Sequence, residues 1–281
     1  EELIGEISPR IAAVGEKTRF TYAVRNNSRP GKDRGFDRLA IDTPLRAEAV
    51  GRIQIRRPDG RVEETDFSGD SLERLPLVRE DFSVREVGDQ QLVIGFPTIG
   101  ESGTLLSVEF DNGVLRYGTT FAGRTRNSQA GSAIGQEVVA GNAADLSGRD
   151  RQDPDVQPVG TPLAGNLSVE VPIVRDLLIN VQAAPAVFTP NGDGVNDQAA
   201  IHYDITNIAR PSPVEIRICD LSGRSVRHLY AAAGLSGRFA RPWDGRDDEG
   251  NLVPPGNYLF TVALEAGTGS QRQLGVVGVA Y

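Results

Sequence analysis

Apolar and polar residues alternate along this chain in runs of four to nine residues, and turn signals cut each run short. No window longer than about ten residues shows convincing helical periodicity. In Thr18 to Arg25, TRFTYAVR, Phe20, Tyr22 and Val24 fall on one face. Strand character returns at Phe36 to Asp42, Phe82 to Val87, Gln91 to Phe96 and Leu105 to Phe110. Ile53 to Arg56 and Arg61 to Thr65 flank a Pro-Asp-Gly turn signal and read as a hairpin. Asn112-Gly113, between VEFD and VLRYGTTF, is the strongest short hairpin signal in the chain. The pattern predicts an all-β protein, and 281 residues are enough for two sandwich domains.

Composition changes near Gly123. Residues 123–166 are poor in aromatics and rich in Gly, Ala and Asp, too long for an ordinary loop. They read as an irregular segment, with the apolar island Glu137 to Ala140 as one strand inside it. The expected division is a β-sandwich at 1–122, the irregular segment at 123–166, strands at 167–185 that complete or link the first domain, and a second sandwich at 186–281. Six or seven strands are expected in that last part: His202 to Ile205, Val214 to Cys219, Ser225 to Tyr230, Gly237 to Trp243, Gly256 to Glu265 and Arg272 to Ala280.

Charge excludes some partners. The net charge is −8, which speaks against nucleic acid, because phosphate binding needs a basic face. No apolar run is long enough to span a bilayer, so membrane association would be peripheral, on a membrane complex. Cys219 is the single cysteine, so no disulfide forms within the chain. The opening EELIGEISPR has no basic or apolar leader and the chain has no methionine. Both fit a signal peptide already removed, or a chain trimmed at its start. The expected location is extracytoplasmic, in the periplasm or on the cell surface.

Three motifs in the second part carry a resemblance: FTPNGDGVND, VEIRICDLSGRSVRHL and WDGRDDEGNLVPPGNYLFTVAL. In this order they resemble the immunoglobulin-like domain of flagellar hook-capping proteins, which recurs in gliding-motility-associated and other secreted bacterial surface proteins. The resemblance spans Val187 to Leu264 and implies an immunoglobulin-like sandwich. Gliding-type tails act as sorting signals for type IX secretion. The arginine bias here (only Lys17 and Lys32 are lysine) points to another bacterial background, and the sorting role is not carried over. Within the motifs Val214, Ile216 and Ile218 are expected in the core, with Trp243 between the sheets. Cys219 stands where the family usually has an aromatic. The first domain resembles no named family.

NGDGVND offers Asn191, Asp193, the Val195 carbonyl and Asp197. Amide, carboxylate and backbone oxygens at alternate positions suit Ca²⁺, but the first aspartate and the bidentate glutamate of an EF-hand are missing. The competing reading is a turn, with Asn and Asp bonding the local backbone and glycines at positive φ. Both readings are open at this point; no other cofactor is expected. Asp244, Asp247, Asp248 and Glu249 read as solvated turn carboxylates. His202 and His228 lie in separate strand patterns. Glu63-Glu64 and Glu80-Asp81 would alternate faces on strands and not converge. Asn26-Asn27-Ser28 and Asn166-Leu167-Ser168 match the glycosylation pattern, a frequent chance match. No catalytic motif is present. The expected function is non-enzymatic: docking to other protein subunits, in a surface assembly or on the outer side of a membrane complex. The alternatives are a calcium-dependent carbohydrate-binding module and, last, a secreted hydrolase.

Overall fold

The computed structural model describes residues 3–28, 35–130, 135–146, 165–172, 175–267 and 269–281. It is all-β, and the chain divides into two compact units, Glu1–Pro172 and Ile173–Tyr281.

The first unit contains β1 (Leu3–Ser8), β2 (Thr18–Asn26), β3 (Phe36–Asp42), β4 (Ala49–Arg56), β5 (Val62–Asp66), β6 (Leu77–Arg79), β7 (Phe82–Val87), β8 (Gln91–Ile99) and β9 (Leu105–Asn112). β10 (Thr119–Thr120), β11 (Gly123–Arg126), β12 (Gln136–Ala140) and β13 (Ser168–Val169) follow. One sheet runs β5-β4-β9-β2-β1-β12-β11-β3-β8-β7-β6, and β10 pairs with β13 separately. β1 pairs parallel with β12. One hydrophobic core collects side chains from both halves of the sheet, including Phe20 and Phe110 from one side and Leu39, Ile41 and Ile94 from the other, together with Phe121 from the connection after β10. A sheet that buries a single face this way must fold over on itself, giving a sandwich from one continuous ladder. Its two ends meet: Arg79 on β6 donates to the Asp66 carbonyl at the end of β5 (2.8 Å) and pairs with Asp70.

Two sequence expectations fail here for physical reasons. The segment 123–166 supplies β11 and β12, which lie inside the sheet and join its halves. The expected strand at Glu137 to Ala140 is β12 (Gln136–Ala140), whereas β11 carries no apolar run and was not foreseen. Residues 131–134 and 147–164 of that segment lie outside the described residues. Asn112-Gly113 makes no hairpin. A two-residue type I′ turn needs positive φ at both positions, and neither residue has it. Instead the buried Asn112 amide donates to the Leu45 carbonyl (2.8 Å), and Val114 bridges Val14 in parallel. The Pro58-Asp59-Gly60 signal does join β4 to β5 as a hairpin.

The second unit contains β14 (Leu178–Ala184), β15 (Val187–Phe188), β16 (Ala199–Ile205), β17 (Ser212–Cys219), β18 (Ser225–Gly234), β19 (Gly237–Trp243), β20 (Gly256–Ala266) and β21 (Gly269–Val279). They form a three-stranded sheet, β14-β16-β19, and a five-stranded sheet, β15-β21-β20-β17-β18. The sequence reading grouped 167–185 with the first domain or as a link. β14 instead pairs with β16, across a bulge between Ile179 and Gln182, and belongs to the second unit. Val214, Ile216 and Ile218 are buried as expected. Trp243 is 1% exposed, with ring centroids 5.4 Å from both Phe188 and Tyr258, and its indole N–H donates to the Arg246 carbonyl (2.9 Å). The three rings plug one end of the sandwich. Fully burying an aromatic side chain of this kind contributes roughly 1.5–3 kcal/mol.

Candidate functional site

The loop 189–198 carries the chain from β15, in the five-stranded sheet, to β16, in the three-stranded one. Gly192 and Gly194 take φ of 80° and 83°, a region closed to most side chains. Their N–H groups point at Asp197: Gly192 to Oδ1 (2.8 Å) and Gly194 to Oδ2 (2.7 Å). Asp193 Oδ1 accepts from Val195 N–H (2.7 Å), and its Oδ2 accepts from the Asn191 amide (3.0 Å). Asn191 Oδ1 accepts from Asp193 N–H (3.1 Å). Thus the side-chain oxygens of Asn191, Asp193 and Asp197 each accept from a donor within the loop, while the Val195 side chain is exposed. The same loop shields a sheet edge. Thr189 N–H donates to the Asn196 carbonyl (2.7 Å), and the Asn196 amide reaches the Val187 carbonyl on β15 (3.3 Å).

A second feature is a cavity of about 570 Å³, lined by Asp220, Arg224, Val226, Asp247, Asp248 and Tyr258 among others. Its carboxylates are tied to turn backbone. Asp220 Oδ1 accepts from the Ser222 hydroxyl (2.6 Å) and from the N–H groups of Ser222 and Arg224 (both 3.0 Å). Asp247 Oδ1 accepts from Asn251 N–H (2.8 Å) and Glu249 N–H (3.0 Å). The Ser222 hydroxyl, helped by backbone donors, holds Asp220 below the usual aspartate value. The Asn251 N–H does the same for Asp247. Both therefore stay ionised near neutral pH and are poor proton donors. Asp248 is bound to β18: its N–H donates to the Val226 carbonyl (3.1 Å), and its Oδ1 accepts from His228 N–H (2.9 Å). The acidic patch is turn scaffolding.

The other polar residues singled out in the sequence are dispersed. His202 lies on β16 opposite Ala240, and His228 on β18 opposite Arg217, in different sheets. Glu63 pairs with Arg57 (2.9 Å), whose hydrogen bond holds it below the usual glutamate range. Glu64 accepts from Gln54 (2.6 Å). Glu80-Asp81 is not on a strand; it turns between β6 and β7, with Glu80 at φ 51°. Among the described residues no group of three or more His, Cys, Asp or Glu is arranged to hold a metal. Both glycosylation-pattern asparagines are buried and committed: Asn26 donates to the Glu101 carbonyl (3.1 Å) and Asn166 to the Gly141 carbonyl (2.8 Å). Trp243 sits in the core, so it offers no platform for a sugar ring. Among the described residues no helix is long and apolar enough to cross a membrane. Sequence reasoning missed the edge-shielding by Asn196 and Asp248, because neither carries a pattern beyond an ordinary turn residue.

Comparison with known proteins adds one specific finding. No curated protein matches the chain. Among solved structures the chain is similar to PorZ, a surface component of the type IX secretion system of Porphyromonas gingivalis. Identity is 20% over 36% of this chain and 12% of that one, with a TM-score of 0.25. It is also similar to dimeric latent PorU from the same organism (9% identity, 98% of this chain and 32% of that one, TM-score 0.30). A third is the pilus 2b backbone protein of group B streptococcus (11% identity, 95% and 88%, TM-score 0.31). The chain thus spans a third or less of the first two proteins, and at these scores none of the three bears on function. The family model CHU_C, a type IX secretion signal domain, matches residues 182–279. What matches is a secretion signal domain, the role that the arginine bias had led the sequence reading not to carry over, and not the flagellar hook-capping domain. The matched residues 182–279 make up nearly all of the second unit, so this all-β unit is similar to a type IX secretion signal domain.

Proposed function

We infer that the second unit is the export address of a bacterial extracytoplasmic protein, and that the first unit is the body it delivers to the cell surface. The observation that carries this reading is the coincidence of the secretion-signal match with one self-contained sandwich. A signal built as a folded domain with its own core can be attached to an unrelated body without disturbing it. After export the protein acts by contact with other protein subunits, in a surface assembly or on the outer side of a membrane complex, and not as an enzyme. In support, the carboxylates Asp220 and Asp247 of the acidic cavity are engaged by turn donors, and the two histidines lie in separate sheets. The loop at Asn191, Asp193, Val195 and Asp197 is a gateway turn held by its own amides, not a calcium site.

The test is truncation after Pro172 in the native host. The shortened protein is expected to fold and accumulate inside the envelope, while the full chain is labelled on intact cells. Surface labelling of the truncated form at the full-length level would sink the reading.

A further inference from the structure

Four neighbouring strands of the first unit, β11, β3, β8 and β7, carry a row of arginines on the face away from the core. The ladder sets Arg126 directly opposite Arg38, and Arg38 directly opposite Gly95. On the next strand Ser83 stands opposite Gly95, and the register slips between Val84 and Glu86, so Arg85 is the extra residue of a bulge. A bulge re-aims its side chain. Here Arg85 is turned over Gly95: a Cβ placed at Gly95 would come within 2.8 Å of Arg85 Nε. The missing side chain leaves room for the guanidinium stem. Leu39, Ile94 and Val84, which precede or follow these residues along their strands, are buried in the core, so the arginines point the other way. Arg85 and Arg126 are exposed and Arg38 is half-buried.

The row works against the fold. Like charges directly opposite on neighbouring strands are destabilising, and a glycine inside a strand weakens it and often marks a close approach. Among the described residues the side chains of Arg38, Arg85 and Arg126 make no hydrogen bond or ion pair. Nearby carboxylates are engaged elsewhere or stand one row away. Asp37 accepts from Ser128 N–H (2.7 Å), and Asp42 pairs with Arg124 (2.7 Å). Glu137 and Glu86 end the next row, which runs through Arg124, Ala40 and Val93. Among the described residues, three guanidinium groups within two strand spacings, roughly 10 Å, are thus left without an acid of their own.

We propose that Arg38, Arg85 and Arg126 form a docking row for a carboxylate-rich segment of another protein. Charge complementarity names the occupant. A guanidinium takes carboxylate oxygens on two parallel N–H donors. The net charge of −8 opposes nucleic acid. The next row holds no aromatic ring on which a sugar could stack. The arginines stand on a sheet face, whereas small-ligand sites are concave. An acidic peptide lying across the strands fits all four observations. The inference rests on the reading that the protein acts by contact with other protein subunits, and it is independent of the export reading. The contact is small and exposed, so binding is weak, on the order of micromolar to millimolar, and falls as salt rises.

The test is fluorescence anisotropy of a labelled oligoglutamate peptide with the purified full chain at low salt. About six residues suffice, because an extended chain covers ~3.5 Å per residue. A row variant carrying Arg38→Gln, Arg85→Gln and Arg126→Gln should bind about tenfold more weakly or worse. A control variant carries Arg74→Gln, Arg116→Gln and Arg272→Gln, at three exposed arginines elsewhere. It has the same net charge as the row variant and should bind like wild type. The row variant should melt no lower than wild type, because it removes opposed like charges. No binding at about 1 mM chain, equal loss in the two variants, or a lower melting temperature of the row variant would overturn the proposal. So would tighter binding of a sulfated oligosaccharide of equal charge. Pull-down from the native envelope separates the row from the docking reading. Wild-type partners retained by the row variant would sink the row alone, and no partner with either form would sink the docking reading with it.

Discussion

The first unit ends its eleven-stranded sheet on β5 and β6, and Arg79 ties those ends to each other. The second unit splits its strands between two sheets, and Asn196, Asp248 and Arg241, whose guanidinium lies 4.0 Å from the Tyr230 ring centre, each stand at one stretch of edge. The difference separates two ways of finishing a sandwich. In a continuous ladder folded over a single core, one side chain ties the two end strands together. Two short sheets create more edges, each of which must be shielded separately or is left to a partner.

The largest effect that can break this comparison is at Trp243. Trp243→Ala removes the ring between Phe188 and Tyr258 and should cost the second unit about 3–5 kcal/mol. Hydrogen exchange should report loss of protection from β14 to β21, with β1 to β13 unchanged. Equal loss in both units would show that they are not separate cores. Asp197→Ala comes next. It leaves the Gly192 and Gly194 N–H groups without their acceptor and should cost about 1 kcal/mol, read as faster exchange at those amides. Arg79→Ala should cost the first unit less, under about 1 kcal/mol, because the pair with Asp70 is half exposed. Its sharper readout is faster amide exchange along β5, which would lose its cover.

Acid gives a smaller, signed effect. Asp220 and Asp247 have folded values below the ordinary 3.8, so their contribution is present above that value. It is lost as pH falls through the depressed folded values, because the unfolded chain then binds the extra protons. A carbon-detected titration should show both midpoints below 3.8. Midpoints at or above it would mean that the turns are not held as described. The smallest expected effect is that of a chelator. If Asn191, Asp193 and Asp197 serve the loop's own amides, EDTA leaves the melting temperature unchanged at low salt and calcium does not raise it. A shift of several degrees would restore the metal reading.

The second unit was largely legible in the sequence because its signals are local. VEIRICD alternates on a strand with one buried face, and Leu221-Ser222-Gly223 and Pro254-Pro255-Gly256 mark their own turns. What was illegible depends on distant partners. β11 holds its place by backbone pairing to β3, which leaves no trace in hydrophobic period, and the island that marked β12 did not show that it pairs with β1. Asn112-Gly113 has the sequence of a tight turn, but the Asn112 side chain is claimed by Leu45, far away in the chain. β14 could not be assigned to a unit from the sequence because only its pairing with β16 places it: Leu178 opposite Ile205, Ala184 opposite Ala200. The candidate loop was legible as residues and not as chemistry. Alternating Asn and Asp oxygens suit a cation and a turn equally, and only the direction of the N–H groups separates the two.

The most direct measurement is a transplant. Residues 173–281 are fused behind a reporter that carries an ordinary signal peptide, in a bacterium with a type IX secretion system, and the reporter is assayed on intact cells. The export reading predicts reporter at the surface with residues 173–281 attached, and reporter kept inside the outer membrane when residues 1–172 are attached instead. Reporter retained inside with 173–281, under conditions where the fusion is folded and intact, would contradict it.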